Sequence, residues 1–291
     1  MISIIITSYK EPKTIGKAIE SILKNNLKDY EILVTAPDDE TLNVAKNYSK
    51  KYKNIKIIKD KGNGKPTALN LAISKTKGET LILTDGDVYI GEDSLFHLLE
   101  PLKNKEIGAV TGNPISLNNK NNKLGYWAYV LTNVANKRRK KAIKIKKRFF
   151  CSGYLFAIRK NLIPKLPENL FSEDGFISHN VYENDFKIAY SEKSKVFVKY
   201  PLNFRDWILQ KKRSAGGYNQ IKKFNGIEIR SFKKEALGFL NLFRFVTQTK
   251  ELVWLIELFL ARVYLWAVIY KDINLNKKSH KSIWQRVEST K

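Results

Sequence analysis

Apolar residues along this chain change their spacing in a regular order. The run ISIIITS (2–8) is continuous and β-rich, the pattern of a strand covered on both faces. After Pro12, Ile15, Ala18, Ile19, Ile22 and Leu23 recur at helical spacing. YEILVTA (30–36), NIKIIKD (54–60) and ETLILTD (79–85) predict three further strands, with helices near 39–53 and 66–76 between them. Strand and helix thus alternate over about 110 residues, which predicts an α/β architecture with a doubly wound, mostly parallel sheet. Ligands of such sheets lie beyond the carboxyl ends of the strands, where the segment TDGD (84–87) falls.

The pattern beyond residue 115 is less regular. FFCSGYLFAIR (149–159) reads as a strand, FSEDGFISHNVYEN (171–184) as the start of a helix, and FKIAYS and SKVFVKYP as two short strands. FRDWILQKKRSAGGYNQIKKF (204–224) reads as a helix ending at the Gly216-Gly217 break, and from about Glu235 long aromatic-rich apolar stretches take over. There are no internal repeats.

At 291 residues and 43% hydrophobic content the chain can bury a sizeable core. Its 53 basic against 28 acidic residues leave a formal charge of +25, a field suited to a polyanionic partner. Nine of the twelve residues of KRRKKAIKIKKR (137–148) are basic. A single cysteine, Cys151, excludes an internal disulfide and suits a reducing compartment. MISIIITSYK has no basic leader and reads as a first strand, so no signal peptide is expected and the catalytic part is expected in the cytoplasm.

On spacing alone, Asp85 and Asp87 fit a polar turn, a phosphatase-type nucleophile, or a divalent-metal site holding a diphosphate. Further matches separate these readings. Glu173-Asp174 forms a second acidic pair, and QKKR supplies Gln210 and Arg213. The order D-x-D, E-D, Q-x-x-R, with GKPTALN (64–70) and FFCSG (149–153) in between, resembles family 2 glycosyltransferases of the GT-A fold. It looks most like their cellulose, chitin and hyaluronan synthase branch. The resemblance covers residues 1 to about 220.

The apolar stretches beyond residue 224 predict a helical, membrane-associated region (225–291), and the resemblance implies a catalytic domain over 1–224, with a nucleotide-sugar half (1–115) and an acceptor half (116–224). It also implies a nucleotide-diphosphate sugar donor, UDP by default, and Mn²⁺ or Mg²⁺ as cofactor. Asp87 holds the metal with Asp85, and Asp85 also faces the ribose and sugar. Thr7, Glu11, Asp39 and Lys65 join the nucleotide site. Asp174 is the base in an inverting displacement, and Glu173, Gln210 and Arg213 serve the acceptor or diphosphate. The alternatives are a nucleotidyltransferase and an inactive basic module. Two departures stand out: Ser214 occupies the position of the motif's Trp, which weakens the case for processive synthesis, and Asp38-Asp39 come late for an acid that reads the base. Trp207 offers a substitute ring, with core packing as the alternative, and His179 and Cys151 carry no catalytic signal.

LVWLIELFLARVYLWAVIY (252–270) approaches the ~20 residues needed to span a bilayer. Glu257 and Arg262 nearly cancel its apolar gain, so an interfacial helix competes with a span and with a core helix. The basic run suits anionic headgroups. Nucleic acid would also accept it, but no recognition motif accompanies it. The expectation is a peripheral or anchored enzyme on the cytoplasmic face of the membrane, acting on a glycan or lipid acceptor.

Overall fold

The computed structural model describes residues 1–225, 238–272 and 287–290; the rest of the anticipated C-terminal region, His280 included, lies outside them. The chain divides into two compact units. The first comprises Met1–Ile115 and Asn136–Val198, the second Ser116–Ala135 and Lys199–Thr290.

The first unit is built on one mixed sheet. Its strands are β1 (Ile2–Thr7), β2 (Tyr30–Ala36), β3 (Ile55–Lys59), β4 (Thr80–Asp85), β5 (Val88–Ile90), β6 (Ile107–Ser116), β7 (Leu155–Arg159) and β8 (Lys187–Val198), in spatial order β3-β2-β1-β4-β7-β6-β8-β5. Strands β1 to β4 are mutually parallel, while β7 runs antiparallel to β4 and β6. Ile4, Ile5 and Ile6 are fully buried, the reason the first run has no alternation. Helices α1 (Ile15–Leu23), α2 (Asp39–Lys51), α3 (Lys65–Ser74), α4 (Ser94–Leu99) and α6 (Glu173–Glu183) belong to this unit. The long α5 (Lys123–Lys144) begins in the second unit and ends in the first.

One carboxylate stitches the amino ends of the four parallel strands. Glu31 of β2 accepts from Ser3 Oγ of β1 at 2.7 Å, Lys56 Nζ of β3 at 2.6 Å and the Lys77 N–H before β4 at 2.6 Å. Burial opposes the charge on Glu31, yet these donors hold its carboxyl below the ordinary value.

The second unit packs α7 (Phe204–Asn225), a 3₁₀ turn (Leu240–Phe245) and α8 (Thr249–Tyr270) around an aromatic core that includes Tyr126, Trp127, Trp207 and Phe245. Helix α8 opens with a capping box between Gln248 and Glu251.

Three expectations need correction. The strand drawn over 149–159 starts only at Leu155, because the backbone before it is held by side chains: Ser178 Oγ takes the Cys151 N–H and Thr111 Oγ1 the Ser152 N–H. The two short strands are one, β8, whose polar middle is an exposed stretch rather than a turn. Helix α7 runs through Gly216-Gly217, whose cost of about 1 kcal/mol each does not end it. The basic run continues α5 as far as Lys144.

Glu31→Ala leaves three donors without their acceptor and is expected to remove about 2 kcal/mol of stability at neutral pH in urea denaturation. Because the folded carboxyl is depressed, its contribution disappears as the pH falls through the folded value, and the two proteins converge in acid.

Candidate active site

The carboxyl ends of β1 and β4 meet in register, Thr7 opposite Asp85. Thr7 Oγ1 donates to Asp85 Oδ1 at 3.1 Å, and the Gly86 N–H bonds the Thr7 carbonyl at 3.0 Å. The next loop is held from within: Ser8 Oγ donates to Glu11 Oε2 at 2.6 Å, and the Glu11 N–H to Thr41 Oγ1 at 2.8 Å. Gly86 lies against this pair. A Cβ there would stand 2.4 Å from Ser8 Oγ and 2.6 Å from Glu11 Oε2, so D-G-D tolerates no side chain at its centre.

Lys65, the first residue of α3, joins the two acidic motifs. Its Nζ lies 2.7 Å from Asp85 Oδ1 and 2.6 Å from Glu173 Oε1, with the lysine 29% exposed and the acids 22% and 13%. A cation at a helix N-terminus opposes the helix dipole, so α3 itself gains nothing from Lys65. Burial disfavours its charge, but Asp85 and Glu173 outweigh that and raise the ammonium above its ordinary value. Lys65 is thus held by two carboxylates rather than by solvent.

Asp174 follows Glu173 in the first turn of α6. Its Oδ1 accepts from Ser172 Oγ at 2.6 Å and the Gly175 N–H at 2.8 Å, and its Oδ2 from the Gly153 N–H at 2.9 Å. Gly153 thus connects the FFCSG segment to the acid pair. Burial, then the neighbouring Glu173 charge, push the Asp174 carboxyl above the ordinary carboxylate value.

The other sequence candidates separate. Asp39 is exposed and paired with Lys59 at 2.8 Å. Its neighbour Asp38 is structural: it accepts from the Thr41 N–H as the cap of α2 and from the Lys10 N–H at 2.7 Å. Sequence reasoning missed Asp60, at the carboxyl end of β3. It is buried; Oδ1 accepts from the Gly62 N–H at 2.7 Å, while Oδ2 has no partner among the described residues. Burial, with Asp38 nearby, pushes this carboxyl up. The signal was available, since Asp60 ends its strand as Asp85 ends β4. Gln210 and Arg213 lie one turn apart on α7 in the second unit. The ring of Trp207 packs 5.2 Å from that of Trp127, so core packing is its role. His179 faces Glu183 on its own helix at 3.8 Å, and burial pushes the Cys151 thiol up to about 12, which excludes it as a nucleophile.

Among the described residues no three His, Cys, Asp or Glu converge to hold a metal by themselves. The carboxylates at the end of β4 are hard oxygen donors of the kind completed by substrate phosphates and water around Mg²⁺ or Mn²⁺. Asp85 carries the Lys65 ammonium on its Oδ1, and Asp87 follows two residues later, just beyond the end of β4. The residues fit a cation shared with a diphosphate.

A family model described as glycosyl transferase family 2 matches residues 3–166. The chain belongs to glycosyltransferase family 2. The chain is 24% identical over 232 residues to a poly-β-1,6-N-acetyl-D-glucosamine synthase of Staphylococcus epidermidis, covering 76% of this chain and 55% of that protein. It is 35% identical over 100 residues to a poly(ribitol-phosphate) β-glucosyltransferase of Bacillus spizizenii, covering 32% and 16%. The chain therefore spans about half the length, or less, of these relatives. Among solved structures it resembles a mannosyltransferase of Pyrobaculum calidifontis in complex with GDP-Man and Mn²⁺, with a TM-score of 0.61 at 15% identity over 97% of this chain and 82% of that one. It also resembles S. aureus TarS in complex with UDP-GlcNAc, with a TM-score of 0.53 at 17% identity over 75% and 66%. These likenesses make the fold GT-A, as the motif order implied. Membership of this family sets the nucleotidyltransferase alternative aside. The family match stops short of Glu173, which the structure joins to Lys65, a residue inside the matched segment, at 2.6 Å.

Gly86→Ala forces the Ser8–Glu11 loop aside. It is expected to cost about 1–3 kcal/mol in denaturant unfolding, with weaker nucleotide binding in calorimetric titration.

Proposed function

We propose that this glycosyltransferase moves a sugar, with inversion, from a nucleotide-diphosphate donor to a hydroxyl of a glycan or lipid acceptor, and that UDP is the nucleotide and Mn²⁺ or Mg²⁺ the cofactor. The observation that carries the reading is the Lys65 bridge, which brings the D-x-D strand end and the E-D helix start to one ammonium. Donor and base would then share a single cleft.

In this reading Asp87 holds the cation and Asp85 the ribose and sugar, with Thr7 and Glu11 shaping the nucleotide loop. A divalent cation would stabilise the negative charge left on the diphosphate. Asp174 takes the proton of the acceptor hydroxyl as its oxygen bonds the anomeric carbon and the bond from that carbon to the diphosphate oxygen breaks. A raised carboxyl is a stronger base than an ordinary aspartate, and its three hydrogen bonds fix its direction. A single displacement turns an α-linked donor into a β-linked product. Gln210 and Arg213 are assigned to the acceptor or diphosphate by the resemblance of their spacing.

UDP binding in calorimetric titration is expected to need Mn²⁺ and to vanish in Asp87→Ala. GDP binding under the same conditions in place of UDP would change the base, and no binding of either would overturn the donor site. Asp174→Asn is expected to lower turnover by ~10²–10⁴ while nucleotide affinity stays near wild type. The base works unprotonated and its carboxyl is raised, so the acid limb of kcat/KM against pH should lie above the ordinary aspartate value of about 3.9.

A further inference from the structure

Helix α8 is apolar on both sides. One face, with Leu255, Leu258, Ala261, Leu265 and Ile269, closes the core of the second unit. On the opposite face Val253, Ile256, Leu260, Val263 and Tyr264 recur at helical spacing and stand exposed, Leu260 by 60% and Val253 by 54%. The charges of this stretch fall outside the stripe. Glu257 is at its edge, paired with Lys123 at 3.2 Å, and Arg262 is two residues from Leu260, where side chains point to the other side. The patch widens at Tyr264, whose ring lies 6.3 Å from that of exposed Phe204. Single exposed apolar residues are ordinary, but a continuous stripe of them marks a contact surface.

The charges around the stripe select its occupant. Lys250 opens the helix with its ammonium over the Trp254 ring at 5.6 Å, Arg244 lies over Phe245 at 5.3 Å, and exposed Lys271 follows the last turn. Apolar side chains bordered by cations and aromatic rings match the boundary between acyl chains and anionic headgroups. A second copy of a chain carrying +25 would instead bring like charges together. The helix is long and apolar enough to cross a bilayer. A span would strip its other face from Trp127 and Trp207 and break the bond from Trp127 Nε1 to the Trp254 carbonyl at 2.6 Å.

We propose that the exposed face of α8 is a membrane-docking surface that lies in the plane of an anionic leaflet, with Ile256, Leu260 and Tyr264 between the headgroups. The inference does not depend on the donor or the metal.

The test is flotation of the full chain with vesicles of phosphatidylcholine alone or mixed with phosphatidylglycerol, comparing wild type with the Ile256→Lys/Leu260→Lys variant. Wild type should float with the phosphatidylglycerol vesicles, and the variant should bind at least about tenfold more weakly. The variant adds positive charge, so binding by electrostatics alone would strengthen, and equal or tighter binding overturns the proposal. So does a wild type that ignores both vesicles, or one that forms a dimer in size-exclusion chromatography that the variant abolishes. Thermal melting checks that the variant is folded; should it melt early, Leu260→Ser in the same assay replaces it and must also float less.

Discussion

One ammonium group holds the site together. Asp85 comes from the end of a central strand and Glu173 from the start of a helix some ninety residues later, and without Lys65 their carboxylates would face each other unscreened. Charge pairs at partly buried positions keep more of their strength than surface pairs, so this contact both neutralises and positions. The sheet serves it from the far end. With Glu31 pinning the amino ends of four strands, their carboxyl ends present Thr7, Asp60 and Asp85 in fixed order.

Much of the first unit was legible because buried parallel strands write themselves as uninterrupted apolar runs. Strands β1 to β4 and helices α1 to α3 lie within a residue or two of where periodicity drew them. The failures share a cause: partners distant in sequence. The Phe149–Tyr154 stretch has strand composition, but Thr111, Ser178 and Tyr182 take its backbone N–H groups one by one. The Ser191–Lys193 middle of β8 looks like a turn and is only the exposed part of a long strand.

Site residues were legible in proportion to how far their role depends on strand position. Asp85 and Asp87 follow from the end of β4. The support for Asp174 did not, because no spacing reveals that the Gly153 N–H reaches it from a loop twenty-one residues earlier. The pair Asp38-Asp39 shows how contacts invisible in the sequence complicate such a reading. Acids after a strand suggest a nucleotide contact, but one caps a helix and the other meets a surface lysine. Aromatic residues were hardest of all, since a ring that stacks on sugar and one that packs on Trp127, as Trp207 does, have the same sequence signature.

The buried Oδ2 of Asp60, without a partner among the described residues, sets a thermodynamic condition on whatever sits beside it. A polar group left unmet out of water costs about 1–3 kcal/mol. Any occupant that completes the bond relieves that cost, so part of the affinity measured for such a molecule is stability returned to the protein. A ligand with a donor at that place would gain over one that only displaces water there, however well the rest of each fits.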